Sequence, residues 1–104
     1  MDDAAPFSQS NRIVGTWKHC DGFSDIEFSF SVVDGGVAVS VVDTFDGESP
    51  EIYDIAWSDR ELVLRFAALW NTGRFVKYRV SVGPNKDRIE ATITYTVQEL
   101  WERK

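Results

Sequence analysis

The sequence predicts an all-β protein: an antiparallel up-and-down meander of seven or eight strands closed into a barrel. Three observations predict it. Apolar residues recur with a period of two along most of the chain. Turn signals built on Gly, Pro, Asn and Asp interrupt that alternation every ~10–14 residues. Each segment between turns has one apolar face, and those faces need a common interior. Closure into a barrel would bury them all and leave no exposed edge. With 104 residues, 43% hydrophobic and 27% charged, the chain is sized for one domain. Residues 1–10 read as an N-terminal tail or short lid, and residues 11–104 as the barrel.

The first strand is read over residues 13–19. In residues 25–32, Ile26, Phe28, Phe30 and Val32 face one way, while Asp25, Glu27, Ser29 and Ser31 face the other. Asp34-Gly35-Gly36 follows as a turn whose glycines accept positive φ. Val37, Val39 and Val41 continue an apolar face, with Asp43 and Phe45 next on it, until Asp46-Gly47-Glu48-Ser49-Pro50 breaks the strand. Tyr53, Ile55 and Trp57 mark a fourth segment on one shared face, ended by Ser58-Asp59-Arg60.

The fifth segment carries two signals. Ser58-Asp59-Arg60-Glu61 fits a helix-start capping box, and Ala67, Ala68 and Leu69 are helix formers. Against this, Leu62-Val63-Leu64-Arg65-Phe66 suits a strand, and the apolar residues would surround a helix rather than stripe it. Strand is the favoured reading. Val76, Tyr78, Val80 and Val82 mark the sixth segment, closed by Gly83-Pro84-Asn85. The last runs through Ile89, Ala91, Ile93, Tyr95 and Val97, and its alternation continues to Trp101 and Arg103. So long a strand could pair with both its neighbour and the first strand.

The net charge is −6, with 17 acids against 11 bases. An acidic surface repels phosphate, which argues against nucleic acid and anionic membrane as partners of the whole molecule. Charge is unevenly placed. Residues 1–59 hold twelve acids and only Arg12 and Lys18, a balance of −10, whereas residues 60–104 carry +4. Complementary halves attract across strand contacts, or steer a second copy of the chain. No apolar run reaches the ~18 residues of a membrane span. The acidic start of the chain lacks the apolar stretch of a secretory signal. A single cysteine, Cys20, and a single histidine, His19, offer neither an internal disulfide nor the usual zinc ligand set. These features point to a reduced, cytoplasmic setting with no cofactor or metal.

Val14-Gly15-Thr16-Trp17-Lys18 opens the first strand. It resembles the Gly-x-Trp signature of the lipocalin and fatty-acid-binding superfamily, the calycins. The resemblance implies a lipocalin-like barrel in which Trp17 plugs one end and a basic residue near the chain's end, here Arg103, packs across its ring. It rests on this tripeptide and the meander; the other family motifs are not recognisable, and residues 20–24 leave no room for a helical pair. Gly15, inside a strand, would let a backbone or the Trp17 ring approach closely.

The candidate ligand-binding residues are Trp17, His19, Tyr53, Trp57, Tyr78, Tyr95 and Arg103. His19 shares a strand face with Trp17 and would offer a hydrogen bond inside an apolar cavity. Tyr53, Trp57, Tyr78 and Tyr95 stand on apolar faces, where they either line a pocket or fill the interior. Asp43 is expected at the rim, and Arg65, Lys77 and Arg79 in solvent. Cys20 neighbours His19, but alternation would turn the two to opposite faces. There is no phosphate-cradling glycine loop, nucleophile elbow or paired-histidine motif, so no catalytic residue is assigned. The leading expectation is a binder of an apolar or aromatic small molecule. The alternatives are a homodimeric interaction module with a filled core, and an isomerase or lyase using His19, Asp43 or Tyr95.

Overall fold

Alternation becomes strands throughout the computed structural model, which describes residues 9–96 and 99–104. A 3-10 helical turn, Ser10–Ile13, leads into β1, Gly15–Trp17. The remaining strands are β2 (Ile26–Val33), β3 (Gly36–Asp43), β4 (Glu51–Ser58), β5 (Val63–Leu69), β6 (Phe75–Val82) and β7 (Ile89–Thr96). All ladders are antiparallel between chain neighbours. The β2–β3 connection is tight, with Val33 opposite Gly36. Both of its central residues have positive φ, Asp34 at 47° and Gly35 at 80°, the twist a two-residue hairpin requires.

The ladders form two sheets, β1-β2-β3 and β4-β5-β6-β7, rather than one closed ring. Among the described residues no ladder joins β3 to β4 or β7 to β1, and seven strands are present. The physical reason is that alternation requires only that apolar faces be covered. Stacking one sheet on the other covers them without closure. The long terminal strand ends at Thr96, and residues 99–104 are not in a strand. Val97 and most of the expected tail, residues 1–8, lie outside the described residues.

Aromatic side chains join the sheets. Phe28 of β2 meets Tyr78 of β6 edge-on at 5.3 Å, and Phe30 meets Phe66 of β5 at 5.8 Å. Phe66 and Tyr78 stack at 4.8 Å. Around them lie Ile13, Val41, Leu64, Ala68, Val76 and Val80, all buried. The Val, Leu and Ile side chains each contribute ~1.5–3 kcal/mol of burial.

Two local signals resolve differently from their sequence reading. Half of the capping box forms: the Ser58 hydroxyl accepts from the Glu61 amide at 3.1 Å and the Leu62 amide donates to the Ser58 carbonyl at 2.8 Å, while the Glu61 carboxylate turns to Arg65. One turn later Leu62 adopts φ +58°, which stops helical propagation, and β5 begins. In β4 the register shifts between Tyr53 and Ala56, with Asp54 at φ +57°. This bulge switches the parity of the strand. Ile52 and Trp57 therefore pack inward, while Tyr53 and Ile55 are exposed.

Candidate functional site

Three strands stacked against four leave the four-stranded sheet partly uncovered. The uncovered part is the seam between β1–β2 and β6–β7, where a closed barrel would have continued pairing. Here lies an open cleft of about 220 Å³. Its walls are Phe28 and Phe30 from β2, Tyr78 and Val80 from β6, and Ile89, Ala91 and Ile93 from β7. Trp17 and the following residues, Lys18 to Cys20, complete it.

Trp17 is half-buried, packs against the core, and donates its indole N–H to the Ile13 carbonyl at 2.8 Å. That bond orients the ring on the helical turn behind it. Gly15 permits the entry into β1 by its φ of +137°, not by close packing, since a side chain there would meet nothing within 4 Å. The strand ends at Trp17, so His19 and Cys20 escape strand alternation and both line the cleft. The His19 ring packs against Phe23 with centroids 5.6 Å apart. Its Nδ1 is buried without a hydrogen-bond partner. A buried polar atom in that condition is uncommon and has capacity for one bond.

Tyr78 is 6% exposed. Burial pushes its phenol above the ordinary 10.0, with the Tyr95 phenol adding to the rise, while the Trp70 side chain and the Arg74 charge pull the other way. It stays neutral at physiological pH. The aromatic wall of the cleft therefore carries no charge.

A second, polar cleft of about 650 Å³ adjoins the first and shares Trp17, Lys18, His19, Cys20 and Ile89 with it. Arg12, Lys86, Asp87 and Arg88 stand on its rim. The Arg12 guanidinium donates to the Gly83 carbonyl at 2.7 Å, tying the N-terminal turn to the β6–β7 connection.

Of the seven sequence-predicted site residues, Trp17, His19 and Tyr78 come together in the apolar cleft. Trp57 packs on the core and donates its indole N–H to the Asp59 carboxylate, away from the cleft. The β4 bulge turns Tyr53 outward, where its hydroxyl donates to Glu51 at 2.7 Å; that bond raises its pKa. Tyr95 is 62% exposed at the end of β7, with the Arg74 guanidinium 5.9 Å from its ring centroid. Arg103 is exposed beyond the last strand. Among the described residues no cation–π contact joins it to the Trp17 ring, and residues 99–104 are not in a strand.

Asp43 ends β3, where its carboxylate accepts from the Phe45 amide at 2.9 Å, a turn-forming role. Neither it nor Tyr95 lines the cleft with His19, so the three do not converge. Arg65, Lys77 and Arg79 are exposed, with Arg65 paired to Glu61 at 3.2 Å. Among the described residues no group of three His, Cys, Asp or Glu side chains clusters as metal ligands. No helix there is long and apolar enough to cross a membrane.

Phe28, Phe30, Val80, Ile89, Ala91 and Ile93 were visible in the sequence as apolar-face residues, with nothing to mark them as cleft walls. Comparison with protein families, curated proteins and solved structures finds no match to this chain.

Proposed function

We propose that this protein is a small lipocalin-like domain that binds an apolar or aromatic small molecule in the seam between its two sheets. The observation that carries this is the cleft itself: apolar walls, open to solvent, with one unpartnered polar atom, His19 Nδ1, at its edge. Few convergent polar groups in an apolar concavity is the usual make-up of a ligand pocket. At about 220 Å³ it lies below the ~300 Å³ lower end for such sites, which favours a compact ligand of one or two rings. A cytoplasmic setting fits the lone cysteine.

The test is titration with naphthalene-1-carboxamide, followed by tryptophan fluorescence, alongside native mass spectrometry of protein from its own host. Binding is expected to quench or shift Trp17 emission. Ala91→Trp, which fills the cleft from an exposed edge position, is expected to weaken binding more than tenfold. No binding, or binding indifferent to that substitution, would remove the proposal.

A second reading, a homodimer joined at a sheet edge, is favoured by the outer edge of β7. That edge has no partner strand among the described residues, and such edges template pairing with another chain. Light scattering at low and high salt decides it. A mass of twice 11.8 kDa supports the dimer, and a monomer at both salts ends it.

A further inference from the structure

The polar cleft has a charge opposite to that of the molecule. The chain carries −6 overall, yet four cations, Arg12, Lys18, Lys86 and Arg88, line this cleft against one acid, Asp87. Arg12 and Lys18 are the only bases in residues 1–59, among twelve acids. Both stand on the same rim, and the β6–β7 connection supplies the other two. Among the described residues, the side chains of Lys18, Lys86 and Arg88 make no ion pair. Asp21 flanks Cys20 nearby, but its carboxylate accepts from the Phe23 amide at 2.9 Å. The cationic rim is continuous with the apolar cleft through Trp17, Lys18, His19 and Ile89.

We infer that this rim is a head-group site for a small amphipathic organic anion, such as an aromatic carboxylate, whose apolar body occupies the adjoining cleft. The inference rests on the binding reading above and adds to it the charge and orientation of the ligand. Several cations on a low-dielectric wall act together on one anion. Other exposed cations, such as Arg65, Lys77 and Arg79 on β5 and β6, line neither cleft. The His19 edge lies where head group and body would meet.

The experiment compares 1-naphthoate with its neutral isostere naphthalene-1-carboxamide, by calorimetry and tryptophan fluorescence at low and high ionic strength. The wild type is expected to prefer the carboxylate by about tenfold at low salt, with the preference shrinking as salt screens the rim. The double substitution Lys86→Ala/Arg88→Ala, at two exposed turn positions, is expected to bring the ratio toward one. Equal affinity of the wild type for both probes would overturn the head-group site while leaving the apolar cleft as a binding site. A preference undiminished by the double substitution would also overturn it, by placing the anion elsewhere. Failure of both probes to bind would remove the binding reading itself, and this inference with it.

Discussion

Strands β5 and β7 lie on either side of β6, and the three are joined in cross-strand rows. Leu64 pairs with Val80 and Val80 with Ala91; Phe66 pairs with Tyr78 and Tyr78 with Ile93; Ala68 pairs with Val76 and Val76 with Tyr95. Exposure rises along every row. Leu64, Phe66 and Ala68 are 0%, 2% and 0% exposed, and their β6 neighbours stay below 7%. On β7, Ile93 is half-buried, Ala91 exposed and Tyr95 62% exposed. β7 alternates apolar and polar residues, whereas β5 is apolar at every position but Arg65. They differ too in what lies above them: the three-stranded sheet covers β5 and β6 and ends before β7. The uncovered strip becomes the wall of the cleft, so the strand poorest in burial is the one that forms the candidate site.

The largest effect expected from this contrast is on stability. Leu64→Ala should destabilise by about 3 kcal/mol, a loss of transfer energy plus a cavity that the enclosing strands cannot collapse. Ile93→Ala, on the same face but at the open seam, should cost about 1 kcal/mol because solvent already reaches it. Urea denaturation of the two variants measures the difference. Equal costs would mean that β7 is covered in solution, and the seam closed.

A smaller effect concerns Tyr78, which stands between the two strands. The unfolded phenol ionises near 10.0 and the folded one above that value. Between the two, the unfolded chain holds fewer protons. The stability tied to the neutral phenol is therefore complete below about pH 10 and is lost as pH rises through the folded value. Tyr78→Phe should flatten this alkaline decline relative to wild type, as read from denaturation midpoints between pH 9 and 11. An unchanged decline would place the Tyr78 hydroxyl in water and not against the core.

The candidate site was partly legible in the sequence. Trp17 was singled out by the Gly-x-Trp resemblance and Tyr78 as an aromatic on an apolar face, and both line the cleft. His19 was found for the wrong reason, as a strand-face neighbour of Trp17, whereas it reaches the cleft from the loop after β1. Tyr53 was misread because parity was carried through a bulge, and Asp54 gives no sequence sign of its positive φ. Tyr95 was misplaced because the facing sheet leaves β7 uncovered, and Arg103 because residues 99–104 are not in a strand. Lys86 and Arg88 drew no notice as neighbours of a turn; only the fold sets them beside Arg12 and Lys18.

The sequence by itself determined that the chain is a run of strands, where it turns, and, β4 apart, which residues of each strand can face a core. Those are local properties, written in the pleat's period of two and in glycine and proline chemistry. Tertiary structure decided how the apolar faces meet, as two stacked sheets and not a closed ring. It also decided which strand is left uncovered and which charges share a rim. These depend on pairings between residues distant in the chain, and alternation is satisfied equally by every arrangement that keeps the faces dry.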